Sequence, residues 1–388
     1  MDSFAATFSS IAAFLCYHET MKKKMSKVVK TLLMILAVVL SLLLAYVAYV
    51  WFSYYRVEDN LKLEIENMQR AEVPIDQDLR CATYNIGFGA NGPEFSFFLA
   101  KGMMDDGTPV KGRNSKAFSK EYVIENTEGA ISELKSLDPD IILIQEADLK
   151  STRAYKVNQY EAFKLGFPNL SASYASDYDS AYLLYPIPDF HGKSQSGLVT
   201  LSRFGISEAV RRSYPVSDGF SKLFDLDRCF AYYRMPTENG KELVVVNSHM
   251  SAYDEGGIIR KAQWQMVSDF IVSESRKGNY VILGGDFNHV LGDYPEHTFP
   301  SRQETPEWVN YIRPEDIPEG FRIVQAENGY EIPSQRSTDI PWEKGVTHTC
   351  NIDGYIVSDN IEASSINIDT DFAYSDHQPV LMTFRLLP

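Results

Sequence analysis

The sequence predicts a layered α/β body preceded by one membrane-spanning helix. Three observations carry this. Residues 31–52, TLLMILAVVLSLLLAYVAYVWF, hold no charge over 22 positions, and a bilayer core needs about 20 apolar residues as a helix. Short apolar runs such as IILIQEAD (141–148), ELVVVNSHM (242–250) and YVILGGDFN (280–288) alternate with segments of helical spacing, the pattern of a sheet flanked by helices. The 388 residues are 44% hydrophobic and 23% charged, so a folded core is expected and disorder or a collagen-like chain is excluded for the bulk.

The elements follow in order. Residues 1–20 are mildly apolar and too short to span. MKKKMSK from Met21 reads as an ordinary beginning, so Met21 or Met25 is the expected start. Lys22, Lys23, Lys24, Lys27 and Lys30 precede the apolar run; Arg56, Glu58 and Asp59 follow it. Positive charge stays cytoplasmic, which puts the C-terminal body outside the cytoplasm of a single-pass protein. Tyr46, Tyr49, Trp51, Tyr54 and Tyr55 fall where an outer aromatic belt would lie. A cleaved signal would have an apolar region of about 7–15 residues with a small-x-small site after it. This run is longer, so an uncleaved anchor in the cell membrane is the preferred reading.

Leu61, Ile65 and Met68 stand at helical spacing and predict a short juxtamembrane helix or stalk ending near Pro74. LRCATYNIGF from Leu79 is a strand running into a Gly-rich loop, 88–118, of no clear period. Residues 119–137 put Val123, Ala130, Ile131, Leu134 and Leu137 on one face of a helix that Asp138-Pro139 stops. IILIQEAD is a buried strand and 151–165 a helix. GLVTLSRF (197–204), RCFAYYRM (228–235) and ELVVVNSHM are strands. Residues 258–277 place Ile258, Ala262, Met266 and Phe270 on one helical stripe, with Ile259, Val267 and Ile271 beside it. After YVILGGDFN, residues 292–345 are mostly loop, and CNIDGYIVS and HQPVLMTFRL close the chain as strands. The organisation is a cytoplasmic segment (1–30), a transmembrane helix (31–52), a stalk (53–78) and one body (79–388).

The net charge is −15: residues 1–56 carry +4 and the remainder −19. Such a body repels polyanions and disfavours non-specific nucleic-acid binding. Cys16, Cys81, Cys229 and Cys350 are too few and too scattered for a disulfide framework or structural zinc. The body cysteines are expected as buried thiols, and His191, His289 and His348 as structural or surface residues.

The chemically capable residues recur at ends of apolar strands: Asn85 after CATY, Glu146 after IILIQ, His249 after VVVNS, Asp286 and Asn288 after VILGG, and Asp353 before GYIV. Asp376 and His377 precede the last strand. Loop-bordered strand ends are where α/β proteins build sites. Singly each has an ordinary structural explanation, such as a turn, a cap or a solvated pair; together they suit metal-assisted hydrolysis of a phosphate ester. Glu146 is a hard oxygen ligand for Mg²⁺ or Mn²⁺, with Asn85 beside it as a neutral oxygen. Asp286 can position and deprotonate water, and Asn288 can bind a phosphoryl oxygen from the same side of a strand-like segment. His249 and His377 can donate to phosphate or leaving group, with Asp353 or Asp376 orienting an imidazole.

TYNIG (83–87), LIQEAD (143–148), SGLVTLSR (196–203), VNSHMS (246–251), GGDFNHV (284–290), NIDGYIVS (351–358) and YSDHQPV (374–380) together resemble the endonuclease/exonuclease/phosphatase superfamily. That superfamily includes deoxyribonucleases, apurinic endonucleases, inositol-polyphosphate 5-phosphatases and neutral sphingomyelinases. The resemblance implies a four-layer αββα sandwich: two packed mixed sheets flanked by helices. It implies Asn85, Glu146 and Asp376 around a metal, Mg²⁺ or Mn²⁺. It also implies His249 and His377 as the catalytic pair, Asp286 and Asn288 at water and phosphate, and Asp353 as a partner orienting His249 or its phosphate contact. Gln195 stands where apurinic endonucleases carry Tyr, and those enzymes lack a histidine at the place of His249, so the chain is more similar to the other branches. Arg228, at a strand start, is a candidate phosphate contact.

The expected function is therefore a membrane-anchored, extracytoplasmic, divalent-metal-dependent phosphoesterase, monomeric, acting on a small or lipid-borne phosphate ester. An extracellular nuclease is the alternative within the superfamily. A non-catalytic binding protein on the same fold is the alternative outside catalysis.

Overall fold

The computed structural model describes residues 2–53, 55–216, 227–251 and 258–388. It forms two units, Met1–Tyr54 and Tyr55–Pro388. The first is helix α1 (Asp2–Ser53). Its stretch Ser26–Ser53 has a mean hydropathy of 2.7 and is long and apolar enough to cross a membrane; residues 31–52 lie inside it. Tyr54, assigned to the aromatic belt, lies outside the described residues.

Among the described residues of the second unit, thirteen strands build two large sheets. In chain order they are β1 (Leu61–Lys62), β2 (Leu79–Asn85), β3 (Ile141–Asp148), β4 (Ser171–Asp179), β5 (Gln195–Ser202), β6 (Glu208–Ser213), β7 (Cys229–Pro236), β8 (Glu242–His249), β9 (Tyr280–Asp286), β10 (Phe321–Val324), β11 (Asp353–Ser358), β12 (Ile361–Asn367) and β13 (Val380–Leu386). One sheet runs β1-β6-β7-β8-β9-β11-β10, the other β12-β13-β2-β3-β5-β4. The neighbours β8/β9 and β2/β3 are parallel. Helices α2 (Lys120–Leu137) and α3 (Gln159–Gly166) belong with the second sheet and α4 (Ile258–Ser275) with the first.

Side-chain alternation decides the layers. Cys81, Ile141, Leu143, Tyr233, Val245, Ile282, Tyr355 and Met382 meet between the sheets. Ala82, Tyr84, Ile142 and Ile144, on the opposite face, pack under α2 and α3 with Ala130, Leu134 and Phe163. Val244, Val246, Val281 and Leu283 pack with Val267 and Ile271 of α4. The order is helix, sheet, sheet, helix, the expected four-layer sandwich. Runs such as IILI are continuously apolar because both faces of those strands are covered. Helix α2 begins at Ser119, whose side chain accepts the Tyr122 N–H, and stops at Asp138, left-handed at φ 44°; Pro139 cannot continue it.

Several local expectations are corrected. The segment 57–78 is neither helix nor stalk. Leu61 and Lys62 pair with β6, Glu66 bridges Ala172 and Val73 bridges Thr237. Leu63, Ile65 and Ile75 pack on the inter-sheet core, and Val73 is fully buried, so an alternating period overrides the helical spacing of 61, 65 and 68. Residues 88–118 contain a hairpin, Lys101–Met103 with Pro109–Lys111. In 151–165, helix forms only from Gln159. Strands β4, β6, β10 and β12 were not anticipated. Helix α4 buries Arg260, Gln263, Val267, Ile271 and Glu274, while Ile258 is exposed.

Candidate active site

The strand register assembles the site. His249, at the end of β8, lies opposite Asp286 at the end of β9, and Asp286 lies opposite Asp353 at the start of β11. Three adjacent strands thus present three polar side chains in one row. The two preceding glycines permit it. A Cβ on Gly285 would overlap the Ser248 carbonyl, and one on Gly284 would stand 2.7 Å from the Tyr355 ring. From the second sheet comes Glu146, left-handed at φ 56°, where β3 shifts register against β5 between Ile144 and Ala147. A bulge re-aims a side chain at a strand end; Glu146 is partly exposed among fully buried neighbours.

Asp286 is the centre. Its Oδ2 accepts the Asn85 Nδ2 at 2.9 Å and its Oδ1 accepts the Asn288 N–H at 2.8 Å. His249 Nε2 is 3.4 Å and His377 Nε2 3.8 Å from Oδ2. Burial pushes its carboxyl up, but the charges of His377 and His249 and the two hydrogen bonds hold it below the ordinary value. Each imidazole has a second carboxylate behind it. His377 Nδ1 is 2.9 Å from Asp353 Oδ2, which also accepts Ser334 Oγ at 2.7 Å. Burial opposes the charge on His377, yet Asp353 and Asp286 outweigh it and raise His377 to about 10. His249 Nδ1 is 3.4 Å from Asp177 Oδ2. Arg228 Nη1 lies 2.8 and 2.9 Å from the two His249 ring nitrogens and 3.2 Å from Asp177. The Asp177 carboxyl is pushed up by burial but held low overall by His249 and Arg228.

Glu146 and Asp376 could hold a divalent cation beside this cluster. Asp376 is buried; burial and the nearby Glu146 charge push its carboxyl up against His377, Arg336 and Asn91. Its Oδ1 accepts Asn91 Nδ2 at 3.0 Å. Arg153 Nη2 and His249 Nε2 each stand 4.0 Å from Glu146, and Arg153 is committed to Asp148 by two bonds of 2.9 Å. Two mutually repelling carboxylates, neither in a close ion pair, suit an oxygen-seeking metal. Asp286, Asp353 and His377 are also close enough to hold an ion, but their facing atoms already satisfy one another, so the Glu146 and Asp376 side is the better candidate.

The structure brings together every residue singled out in the sequence: Asn85, Glu146, Arg228, His249, Asp286, Asn288, Asp353, Asp376 and His377. Two details differ. The Asn85 oxygen accepts the Gly87 N–H at 3.0 Å and its nitrogen faces Asp286, so its direct contact is with the carboxylate rather than toward a metal. Asn288 lies past the end of β9 at φ 48° and its Nδ2 donates to the Met250 carbonyl at 2.8 Å; the chain turns there instead of continuing as a strand. Asp177 was missed. It sits where β4 shifts register between Ser176 and Tyr178, and the only sequence signal is an acid inside a strand that was itself not recognised. Asn91 was missed for the same reason, lying in a segment read as loop.

The profile of the endonuclease/exonuclease/phosphatase family matches residues 82–377. No curated protein matches the sequence significantly. Solved structures of similar fold include an endonuclease/exonuclease/phosphatase from Beutenbergia cavernae, with a TM-score of 0.55 at 17% identity over 80% of this chain and 72% of that one. They also include D. rerio TDP2 complexed with single strand DNA product, with a TM-score of 0.49 at 13% identity over 80% and 99%. A third is a mannosyl-6-phosphatase from Bacteroides thetaiotaomicron, with a TM-score of 0.46 at 18% identity over 79% and 99%. At these identities the likeness is one of fold.

Proposed function

The chain belongs to the endonuclease/exonuclease/phosphatase family, whose members are phosphoester hydrolases, and from this we propose a membrane-anchored, extracytoplasmic phosphoesterase dependent on Mg²⁺ or Mn²⁺. The observation that carries the reading is the convergence of two imidazoles, each backed by a carboxylate, on Asp286 beside the Glu146–Asp376 pair.

Glu146 and Asp376 would hold the cation, which when bound polarises the phosphoryl group and offsets its developing charge. The chain's own residues do the rest. Asp286, kept ionised, accepts a hydrogen bond from water through a remaining lone pair and aligns it for attack in line with the leaving oxygen. His377, kept protonated, donates to a phosphoryl oxygen or to the departing group. His249 donates from the other side, and Arg228 adds a fixed positive charge next to it. Asn85 and Asn288 hold the Asp286 carboxylate at both oxygens. The spanning stretch Ser26–Ser53 supports the anchor, and the lysines before it support an external body.

The test is hydrolysis of bis-p-nitrophenyl phosphate, p-nitrophenyl phosphate and plasmid DNA by the full chain in detergent, with Mg²⁺ or Mn²⁺ and with EDTA. Turnover that needs the cation and falls at least 10³-fold in His249→Ala is expected. Plasmid nicking exceeding turnover of the small diester would favour a nuclease. Cation-independent turnover, or full activity in His249→Ala, would overturn the mechanism.

A further inference from the structure

We infer that Arg211 is a positioning residue for the hydrolysis: it ties the bulge of β4 that carries Asp177 to the backbone of Val57 and Glu58, and so fixes the carboxylate behind His249. This rests on the phosphoesterase reading and adds to its site a residue that touches none of the reacting groups.

The starting point is a cation in an apolar layer. Arg211 is fully buried. It lies on β6, two residues after Ala209 and opposite Ala231 of β7. Both alanines face the inter-sheet core, so by the alternation of a strand Arg211 points there too, from the first sheet toward the second. A guanidinium so placed is rarely kept without a carboxylate against it. Here its hydrogen bonds go to four carbonyls and a hydroxyl instead. Nε donates to the Ser176 carbonyl at 2.6 Å and Nη2 to the Asp177 carbonyl at 3.4 Å. Nη1 donates to the carbonyls of Val57 and Glu58 at 3.3 and 3.0 Å and to the Ser213 hydroxyl. That hydroxyl in turn donates to Val57 at 3.1 Å.

The choice of carbonyls is what carries the inference. Ser176 lies opposite Gly197 and Tyr178 opposite Ser196, which leaves Asp177 as the extra residue of the bulge. A bulge disrupts the ladder locally, and buried carbonyls freed from it need other donors. Arg211 supplies them at both Ser176 and Asp177. A planar fork with fixed donor directions also sets where that backbone sits, and with it where the Asp177 side chain points. The side chain has little else to aim it. Its Oδ2 meets His249 Nδ1 at 3.4 Å and Arg228 Nη1 at 3.2 Å, and its Oδ1 has no hydrogen-bond partner among the described residues. The other end of the fork is anchored as firmly. Asp59 accepts the Ser213 N–H at 2.9 Å and pairs with Arg212 at 3.0 Å, and Leu61 pairs with Arg211 along β1. Arg211 is thus held by the segment 57–61 and holds the bulge.

The test is steady-state hydrolysis of bis-p-nitrophenyl phosphate by the full chain in detergent with Mg²⁺ or Mn²⁺, with a thermal melt of each variant. Arg211→Lys keeps the charge and gives up the fork. Its kcat should fall about tenfold, the scale of a small misplacement made away from the chemistry, while KM moves less than threefold. In an Asp177→Asn background the same exchange should cost less than twofold, because a residue that acts through Asp177 is coupled to it and not additive with it. Ser213→Ala removes one anchor of the fork and should lower kcat about threefold, again only where Asp177 is intact. Where Arg211→Lys does not fold, Ser213→Ala decides by the same two comparisons. An equal loss in both backgrounds, or a lowered melt with more than half of the parent kcat, overturns this inference and leaves the phosphoesterase standing. No turnover of any ester by the parent chain removes the phosphoesterase reading and this inference with it.

Discussion

Asp177→Asn tests whether the second histidine of the site depends on a carboxylate as the first does. Asp177 Oδ2 is 3.4 Å from His249 Nδ1 and 3.2 Å from Arg228 Nη1, and its Oδ1 has no hydrogen-bond partner. The exchange keeps the shape and removes the charge. An amide can present either an N–H or an oxygen to Nδ1, so the imidazole is no longer held in one tautomer. In a hydrolase triad with a tight carboxylate–imidazole bond, the same exchange costs about 10⁴ in kcat. The contact here is longer than the 2.9 Å of the His377–Asp353 pair, so a loss of about 10² is expected, or about 2.7 kcal/mol of barrier. Arg228 is also left as a buried cation with a weaker partner, which should cost about 2 kcal/mol of stability. The assay is steady-state hydrolysis of bis-p-nitrophenyl phosphate, with a thermal melt of each variant. A positioning role lowers kcat while KM moves less than threefold, and Asp177→Glu recovers part of the loss. If Asp177→Asn melts lower but keeps more than a third of kcat, Asp177 is only the counter-ion of Arg228 and the reasoning fails.

Three further outcomes follow from the same geometry. Glu146→Gln should weaken Mn²⁺ binding at least 100-fold by titration calorimetry and lower kcat at least 10³-fold; unchanged Mn²⁺ affinity would move the cation away from Glu146. Gly285→Ala would place a methyl group into the Ser248 carbonyl on a backbone at φ 137°, and should cost about 3 kcal/mol, a fall of roughly 5 °C or more in the melting of the body; a melt within 1 °C of the parent would show that β8 and β9 part easily there. Burial pushes the Glu274 carboxyl up, but bonds from Arg234, Lys277 and Asn279 bring it down to about 2 from 4.5. Its folded value is depressed, so its stabilisation is complete above pH 4.5 and is lost as pH falls toward 2. Glu274→Gln should therefore lower stability by about 2 kcal/mol at pH 7, and the gap to the parent should narrow on acidification; a gap independent of pH would place the effect in packing.

What the sequence made legible is set by how each residue is positioned. Asn85, Glu146, His249, Asp286 and Asp353 interrupt strongly apolar strands, and a polar side chain at such a break can be read without knowing the partner strand. Their convergence needed the family resemblance, because it depends on the pairing of β8, β9 and β11, which a single sequence does not encode locally. Asp177 faces the site only through a bulge in β4, and a one-residue slip exchanges the faces of a strand; SASYASDYD gives no hint of which face wins. The segment 57–78 misled for a related reason. Leu61, Ile65 and Met68 fit a helix, but Leu63, Ile65, Val73 and Ile75 fit an edge lying along the inter-sheet core, and tertiary burial outweighs local period. The strand β10 was hidden among the prolines and acids of 292–345, where composition favours loop.

The charges of the assembled site lead back to the cation. Asp177, Asp286, Asp353 and Asp376 are buried and Glu146 is partly so, five carboxylates around one cleft. Arg153 and Asp148 neutralise each other through two bonds. Facing the five stand Arg228, the imidazolium of His377 and Arg336. Arg336 is fully buried beside Asp376 and spends its Nη donors on the carbonyls of Asn91, Gly92, Phe95 and Ser337. The five carboxylates outnumber these cations. Asp286 and Asp177 are held low by their own partners, while burial pushes the Asp353 carboxyl up to about 6 and raises Asp376 as well; Asp353 has the His377 imidazolium against it, so the excess of negative charge is least offset at Glu146 and Asp376. A burial this costly needs a compensating charge, and a single divalent ion supplies two at that position.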